Sequence, residues 1–463
     1  MEPLKPEFRQ MLRDLLGESE GDKLCAALDT EPINAVKLNP AKWADIQTLF
    51  PEAQPIATAP LNGYILPTRP NFALMPEWHG GAFYVQEPSS MVYGLIADYL
   101  SQKFGDRDLR WLDLCAAPGG KTTSILSNVS AGSIIVANEF DSRRASVLVE
   151  NLTKWGDDKV VVTTGDTAKF RRTPDAFHIV SVDAPCSGEG MMRKDEEARR
   201  QWSPGLVKQC AELQREILAN AWEALSPGGY LIYSTCTFNR TENEDNVKWM
   251  IEEFGAENPP LPDFGGTDSI DPDVKAIRFM PHVSRGEGLF VALLRKPGDL
   301  KEKSFGLKKK VHPTLPEPAK KALDKILYKE IYEAEIDKEG NMYCFPKNQY
   351  PFINYVREKT GVIKYGGIWV GTVKGKDFLP SPALAFSTDT KEDAFPELFL
   401  NREEALDYLR KGTSGPMAAL ERMGNAPKGY FLVFYKTIPL GFIKNLGNRV
   451  NNLYPSNWRL RQN

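Results

Sequence analysis

The sequence lacks the features that mark secreted proteins, membrane-spanning proteins and proteins stabilised by a structural metal. Its six cysteines are scattered without C-x-x-C spacing, which argues against a disulfide framework or a structural zinc site and favours a reducing compartment. No run of about 18 apolar residues is present, so we expect no transmembrane helix. The amino terminus also has no apolar signal core. We therefore expect a cytoplasmic protein that binds neither a membrane nor a structural metal.

An excess of positive charge is also absent, because the formal net charge is −3 over 463 residues. Any nucleic-acid surface must therefore be local. The last 63 residues form one candidate, since ten Lys and Arg oppose four Asp and Glu there. Aromatic residues are interleaved with these charges, among them Tyr430, Phe431, Phe434, Tyr435, Phe442, Tyr454 and Trp458. This combination is typical of a nucleic-acid platform, and a solvated basic face over an aromatic core explains it equally well.

Two nucleotide-binding fingerprints are missing. The chain has no G-x-G-x-x-G dinucleotide motif. The stretch Gly119-Gly120-Lys121-Thr122 resembles only the end of a phosphate loop, because Cys115 occupies the position where that loop requires a glycine. These absences argue against a nucleoside triphosphatase and against a dinucleotide-dependent enzyme.

What the chain does contain is a regular alternation of strands and helices. Short β-branched runs at 109–114, 132–139, 159–164, 179–182 and 230–233 are separated by segments of helical periodicity. This alternation predicts an α/β fold with a largely parallel, doubly wound sheet. A turn is predicted at 226–229, and a closing strand at 288–295.

The length and the changes in composition predict several domains. Residues 1–75 read as a small α+β module, with helices between Glu7 and Leu28. Residues 76–297 form the α/β domain, and the lysine-rich stretch 298–312 is interpreted as a linker. The rest is predicted as a separate region with short strands and one helix at 402–410, divided into a middle module at 313–395 and a terminal domain at 396–463.

The strand ends of the α/β domain carry residues that suit a nucleoside with an amino-acid tail. The glycine-rich turn at 115–121 lets backbone N–H groups approach a carboxylate. Glu139 ends the next strand and is suited to accept both ribose hydroxyls. Asp166 follows the third strand and is suited to accept an adenine amino group. One ribose, one adenine and one amino acid without a pyrophosphate fit S-adenosylmethionine better than a dinucleotide.

Two thiols and a carboxylate follow neighbouring strands of the same predicted sheet. Asp183 and Cys186 come after one strand, and Cys236 comes after another. A thiolate that adds to C6 of a pyrimidine makes C5 nucleophilic, a carboxylate stabilises the adduct, and a second thiol or base suits the elimination step. Methylation of an amino group would need an Asn-Pro-Pro-aromatic motif in place of Asp183–Cys186. The residues alone leave open which thiol attacks, and a buried thiol on a tight turn also explains Cys186.

Three ordered motifs resemble the RNA 5-methylcytosine methyltransferases of the Nol1/Nop2/Sun family. They are Asp-Leu-Cys-Ala-Ala-Pro-Gly-Gly-Lys-Thr at 113–122, Asp-Ala-Pro-Cys-Ser-Gly-Glu-Gly at 183–190 and Ser-Thr-Cys-Thr at 234–237. The resemblance is strong over residues 30–297. The stretch 439–455 is similar to the PUA-like RNA-binding tail of bacterial members.

The resemblance implies roles that the residues alone leave open. It implies a Rossmann-like methyltransferase core in which Cys236 is the nucleophile, Cys186 assists release of the product, and Asp183 contacts the base and the cofactor side. The remaining cofactor-binding positions that it implies are Cys115, Ala116, Ala117, Pro118, Gly119, Gly120, Lys121, Glu139, Arg144 and Asp166. Charge on a helix surface is an alternative explanation for Arg144. The N-terminal module corresponds to an RNA-binding extension of the family.

The expected activity is cytosine-C5 methylation of ribosomal RNA of the small subunit by a monomer, with the RNA or the subunit as its partner. A DNA cytosine methyltransferase is one alternative, and it would make Cys186 the attacking thiol. Transfer RNA is an alternative substrate. A ribosome-assembly protein with a vestigial catalytic core is an alternative of another class, against which the intact Asp183, Cys186 and Cys236 argue.

Overall fold

A computed structural model describes residues 2–56, 62–105, 107–306, 315–361, 363–375 and 377–462 of the chain. The last six residues of the predicted linker, 307–312, include the lysine run at 308–310 and lie outside the described residues. Within the described ranges, no helix combines the length and the apolar character that crossing a membrane requires.

The N-terminal module consists of two helices and a four-stranded sheet. The predicted helical stretch divides into α1 (Pro6–Leu16) and α2 (Glu18–Leu28), because Gly17 adopts a φ of +84° between them. The sheet has the order β2-β3-β1-β4, with β1 at Asn34–Leu38, β2 at Gln54–Pro55, β3 at Gly63–Leu66, the short helix α3 at Pro76–His79 and β4 at Phe83–Val85. The strand β4 lies inside the range expected for the α/β domain, yet it completes this N-terminal sheet.

The α/β domain supplies eight strands of a nine-stranded sheet. Its elements are α4 (Val92–Lys103), β5 (Arg110–Asp113), α5 (Gly120–Leu126), β6 (Ile134–Glu139), α6 (Ser142–Trp155), β7 (Val160–Thr164), β8 (Phe177–Asp183), α7 (Glu196–Gln201), α8 (Pro204–Ala224), β9 (Leu225–Thr235), α9 (Glu244–Phe254), β10 (Thr267–Asp268), β11 (Ala276–Phe279) and β12 (Leu289–Arg295). The strands β7, β6, β5, β8 and β9 are neighbours in that order and run parallel, whereas β12, β11 and β10 continue the sheet in antiparallel pairing.

This arrangement confirms the predicted fold class. The central strands are buried along almost their whole length, as expected for β-branched runs covered by helices on both faces. The chain leaves β5 toward β6 on one side and returns at β8 on the other side. A ligand crevice is expected at this reversal of strand order, outside the carboxyl ends of β5 and β8.

The turn predicted at 226–229 is wrong, because these residues belong to the long strand β9. Gly228 adopts a φ of +77°, and its N–H donates to the Lys296 carbonyl over 2.8 Å. The Gly229 carbonyl accepts from the Lys296 N–H over 3.0 Å. The Pro-Gly-Gly sequence therefore forms an irregular part of a strand that is hydrogen-bonded to the segment after β12.

The middle module contains α10 (Glu317–Ile326), β13 (Tyr332–Ile336), β14 (Asn341–Pro346), α11 (Tyr350–Thr360), β15 (Ile363–Gly366), β16 (Ile368–Lys374), β17 (Asp377–Pro380) and α12 (Pro382–Phe386). Four of its strands form a sheet in the order β13-β14-β16-β17. The fifth strand, β15, leaves the module and pairs antiparallel with β7 as the ninth strand of the central sheet. Phe352 and Ile353 of α11 are buried in the core of the α/β domain.

The C-terminal domain has a four-stranded sheet in the order β18-β19-β20-β21 with two helices. Its elements are β18 (Glu397–Leu400), α13 (Arg402–Leu409), α14 (Ser414–Arg422), β19 (Gly429–Tyr435), β20 (Ile438–Asn445) and β21 (Val450–Asn452). The expectation of a separate region with one helix is therefore wrong. The helices α10 to α12 and α14 accompany the predicted helix at 402–410, and β15 ties the region to the central sheet.

Candidate functional site

The strand β8 carries a carboxylate to the crevice. Asp183 is its last residue, and Pro185 ends the pairing. Asp183 Oδ2 accepts from Lys121 Nζ over 2.7 Å, and Oδ1 accepts from Ser234 Oγ over 2.8 Å. The Ser234 hydroxyl is itself 2.8 Å from the Tyr93 hydroxyl. The carboxylate of Asp183 is therefore fixed in orientation by a cation on one oxygen and a hydroxyl on the other.

The two predicted thiols meet above β8 and β9. The Sγ atoms of Cys186 and Cys236 are 3.1 Å apart. The side chain of Cys186 shares a hydrogen bond with Cys236, and this bond together with burial raises the pKa of Cys186 well above its ordinary value. Cys186 is therefore held as a neutral thiol while Cys236 lies beside it.

Two buried glutamates lock the turns that carry these cysteines. Glu242 accepts from the Ser187 N–H over 3.0 Å, and also from Gln214 Nε2 and Asn239 Nδ2, both over 2.7 Å. Glu189, on the first turn, accepts from the N–H groups of Phe238 and Asn239 at 2.6 and 2.9 Å on the second turn. The sequence does not predict either role. The available signal was an acidic residue within the first motif and another shortly after the second.

The glycine-rich turn between β5 and α5 contributes part of the crevice wall. Cys115, Ala117, Pro118 and Lys121 line it, whereas Ala116, Gly119 and Gly120 do not. Gly119 has a φ of +109°, which favours glycine, and a Cβ there would lie 3.1 Å from Leu148. Burial opposes the charge of Lys121, but the neighbouring Asp183 carboxylate outweighs it and raises the pKa of the ammonium. Lys121 therefore faces Asp183 as a cation.

Glu139, Arg144 and Asp166 line the other end of the same crevice. Glu139 Oε1 accepts from the Asp141 N–H over 3.0 Å, but its Oε2 is buried without a hydrogen-bond partner. Arg144 Nη1 lies 3.6 Å from this oxygen, and Nη2 donates to the Ala117 carbonyl over 2.8 Å. The carboxylate of Asp166 is exposed and accepts from the Ala168 N–H over 2.8 Å.

The whole crevice has a volume of about 910 Å³, and we call it the central cleft. It runs from Glu139 and Asp166 at one end to the two cysteines at the other. The Glu139 oxygen that lacks a hydrogen bond fits the hydroxyls of a ribose, which are donors. A volume of this size accommodates a nucleoside cofactor together with a base that reaches the cysteines.

The aromatic residues of the C-terminal domain divide between its core and its surface. Phe431, Phe442 and Tyr454 are buried, while Tyr430, Phe434, Tyr435 and Trp458 are partly exposed. The ring of Phe434 stacks on Phe399, which is 57% exposed, with centroids 5.4 Å apart. Lys444 Nζ lies 4.8 Å above the Tyr430 ring. Some of these aromatic residues therefore form the core of the domain, and others lie partly at its surface. The stacked pair Phe399 and Phe434 belongs to the surface group.

Family models match three parts of the chain. Residues 4–88 match the N-terminal domain of 16S rRNA methyltransferase RsmF, residues 100–295 match 16S rRNA methyltransferase RsmB/F, and residues 395–460 match the methyltransferase RsmF PUA domain.

Curated relatives cover most of the chain. It is 32% identical over 391 residues to ribosomal RNA small subunit methyltransferase F of Klebsiella pneumoniae (strain 342), which is 82% of this chain and 78% of that protein. The Escherichia coli (strain SMS-3-5 / SECEC) protein of the same name is 31% identical over 403 residues, with the same two shares.

Solved structures share the fold. A methyltransferase homologue from Pyrococcus horikoshii has a TM-score of 0.53 at 25% identity, over 63% of this chain and 100% of that one. NSun6 from Pyrococcus horikoshii with SFG has a TM-score of 0.54 at 22% identity, over 64% of this chain and 100% of that one.

Proposed function

Because the chain belongs to the ribosomal RNA small subunit methyltransferase F family, we propose that it methylates C5 of a cytosine in 16S ribosomal RNA. The observation that carries this proposal is the pair of thiols 3.1 Å apart beside Asp183, in one cleft with Glu139. When bound, S-adenosylmethionine supplies the methyl group as an electrophile. The residues that would hold it are Glu139 on the ribose, Asp166 on the adenine, and Cys115, Ala117 and Pro118 along the cleft wall.

Arg144 is assigned a positioning role in this proposal. One nitrogen of its guanidinium donates to the Ala117 carbonyl, and another lies 3.6 Å from the Glu139 carboxylate. Gly119 and Gly120 do not line the cleft, but they let the turn pack closely against its neighbours. Gly119 packs toward Leu148, and Gly120 packs toward Tyr84. Ala116 likewise supports the turn without lining the cleft, and its N–H donates to the Asn138 carbonyl over 2.9 Å.

In the proposed reaction, the Cys236 thiolate attacks C6 of a cytosine that has been turned out of the RNA stack. Electron density then moves toward C5 and toward the ring nitrogen and oxygen of the base. The Lys121 ammonium, held by Asp183, is suited to offset the charge that develops on the base. Asp183 in turn accepts hydrogen bonds from the base side and keeps Lys121 in place.

Cys186 is assigned the release step. While Cys236 is free, the bond between the two sulfurs favours the neutral thiol of Cys186. Once the Cys236 sulfur is bound to C6 as a thioether, it carries neither a proton nor a negative charge, so this stabilisation of the neutral Cys186 thiol is removed. Cys186 gives its own proton to solvent, and its thiolate then removes the C5 proton, after which the C6–S bond breaks and the Cys236 thiolate is regenerated.

The assignment of the two thiols is tested by trapping the adduct. Cys236→Ala and Cys186→Ala variants are incubated with 16S ribosomal RNA and S-adenosylmethionine and separated on a denaturing gel. We expect a covalent protein–RNA band to accumulate with Cys186→Ala and none with Cys236→Ala, because only the first variant can form the bond and not break it. Cys210→Ala, on α8 outside the cleft lining, is the matched control and should behave as the unmodified protein.

The opposite pattern of bands would assign the attack to Cys186, as in DNA cytosine methyltransferases. Bisulfite mapping of 16S ribosomal RNA from cells with and without the protein tests the product. An unchanged map would contradict cytosine-C5 methylation of this RNA. The remaining alternatives would then be methylation of transfer RNA and a non-catalytic role in ribosome assembly.

A further inference from the structure

The central cleft contains a second buried carboxylate oxygen that has no partner. Among the described residues, the only carboxylate oxygens that are both buried and without a hydrogen bond are Glu139 Oε2 and Glu287 Oε2. Both residues line the cleft. The first oxygen is accounted for by the ribose, but the second has no part in the proposed reaction. Glu287 is only 2% exposed, so leaving this oxygen unpaired is costly.

Glu287 lies beside the turn that carries Cys236. The Gly190 N–H donates to the Cys236 carbonyl over 2.8 Å. A Cβ on Gly190 would lie 2.9 Å from that carbonyl oxygen and 3.1 Å from the carbonyl oxygen of Glu287. The backbones of these three residues therefore converge at the cysteine end of the cleft, which is where the base must enter.

The side chain of Glu287 is held through one oxygen, and the other oxygen has no hydrogen-bond partner. Its Oε1 accepts from the Ile33 N–H of the N-terminal module over 3.1 Å. Arg193 Nη1 is 4.0 Å from the same oxygen. By contrast, both oxygens of Asp183 already accept from protein groups, Lys121 and Ser234. Glu287 Oε2 is therefore an acceptor to which none of the described residues brings a donor.

Resting on the proposed function, we propose that Glu287 Oε2 accepts a hydrogen bond from the exocyclic amino group of the target cytosine and so selects cytosine over uracil. Cytosine has an amino donor at C4, whereas uracil has a carbonyl oxygen there. A buried carboxylate pairs with the donor and repels the carbonyl oxygen. A site built to satisfy one hydrogen bond rejects the base that lacks it, because both polar groups are then left unpaired.

The test is a Glu287→Gln variant. A glutamine oxygen keeps the bond to the Ile33 N–H, while the amide nitrogen replaces the free acceptor with a donor. The substrates are two RNAs that carry 5-fluorocytosine or 5-fluorouracil at the target position mapped by bisulfite. After methyl transfer, C5 of a fluorinated base has no proton to lose, so the adduct persists and its rate of formation is read from a denaturing gel.

We expect Glu287→Gln to form the 5-fluorocytosine adduct about 10- to 100-fold more slowly, because the amino group then faces a donor. The ratio of 5-fluorouracil to 5-fluorocytosine adduct should rise at least about 10-fold above that of the unmodified protein, on the same basis. Affinity for S-adenosylhomocysteine, measured by calorimetry, should not change. An unchanged base ratio overturns the proposal, whether or not the overall rate falls.

Glu87→Gln is the matched control. Glu87 lines the same wall, but its oxygens accept from the N–H groups of Ser89, Ser90 and Glu287. Its loss should weaken the wall without altering the base ratio, and an equal change of ratio in this variant overturns the role of Glu287. If the ratio of ribose to deoxyribose targets changes instead of the base ratio, Glu287 binds the sugar and the proposal is wrong. Absence of any adduct with the unmodified protein contradicts the proposed function, not the role of Glu287.

Discussion

The carboxyl of Asp113 illustrates how single residues at the ends of the strands are adapted to the cleft. It ends β5 and is 1% exposed, and it accepts from the hydroxyls of Thr122 and Ser181 at 2.7 and 3.2 Å. Burial, opposed by these hydrogen bonds, raises the pKa of Asp113 from 3.8 to about 6. The folded protein therefore binds a proton at Asp113 more tightly than the unfolded chain does.

A raised carboxyl pKa makes stability fall as the pH rises. The contribution of Asp113 is fully present below the unfolded pKa, and it is lost as the pH rises through the folded pKa. In Asp113→Asn the side chain is neutral at every pH. The free energy of unfolding of the unmodified protein, relative to this variant, should fall by about 1.5 kcal/mol between about pH 5 and about pH 8.

Urea unfolding at the two pH values measures this difference. If the free energy of unfolding of the unmodified protein, relative to Asp113→Asn, rose with pH, it would contradict this prediction.

The central residues of the site could be predicted because the carboxyl ends of parallel strands meet at one edge of a sheet. That rule brings Asp183, Cys186, Cys236 and Glu139 together from their positions in sequence alone. Which atoms touch could not be predicted in the same way. Lys121 was expected to serve the cofactor, and the structure places it on Asp183. The partners of Glu189 and Glu242 depend on how two turns pack, which no local pattern records.

At the scale of elements, β15 is the least predictable part of the fold. The strand is short, it is flanked by Gly361 and Gly367, and its partner β7 lies about two hundred residues earlier in the chain. Its pairing with β7 brings Gly366 against Val161. The helix α10 was not predicted, because its segment is rich in lysine. Its buried face (Ala319, Leu323 and Ile326) nevertheless has helical spacing.

The pairing of β15 and β7 requires a glycine at Gly366. A Cβ there would lie 2.6 Å from Val161 Cγ1 and 3.2 Å from its Cα, and Val161 is fully buried. Gly366→Ala should therefore lower the free energy of unfolding by about 1–3 kcal/mol. Thermal unfolding measures this, with Gly306→Ala as the control, because a Cβ on Gly306 would meet nothing within 4 Å. Equal melting temperatures for the two variants would contradict the pairing.

At the scale of the whole molecule, the predicted modules are joined by a common core. One hydrophobic cluster contains Phe83 of the N-terminal module, Leu323 and Phe386 of the middle module and Phe442 of the C-terminal domain. The N-terminal module also reaches the α/β domain through the buried Lys37, whose Nζ donates to Thr123 Oγ1 and Ser124 Oγ at 2.8 and 2.7 Å. Composition along a chain shows where the proportions of residue types change, but it does not show which segments pack together in space.

The short distance between Cys186 and Cys236 predicts that the site is sensitive to oxidants. Their sulfur atoms are 3.1 Å apart, and a disulfide needs an approach to about 2 Å. With hydrogen peroxide, the Cys236 thiolate is oxidised to a sulfenic acid as the peroxide is reduced to water. The Cys186 sulfur then displaces a second water and closes the disulfide.

We expect peroxide to abolish methyl transfer and a thiol reductant to restore it. Mass spectrometry should find a cross-linked peptide pair in the oxidised protein, with Cys210 still free. Failure to find this pair would contradict the prediction. The two sulfurs that make and break the bond to RNA in the proposed mechanism would thus also make methylation respond to oxidative stress.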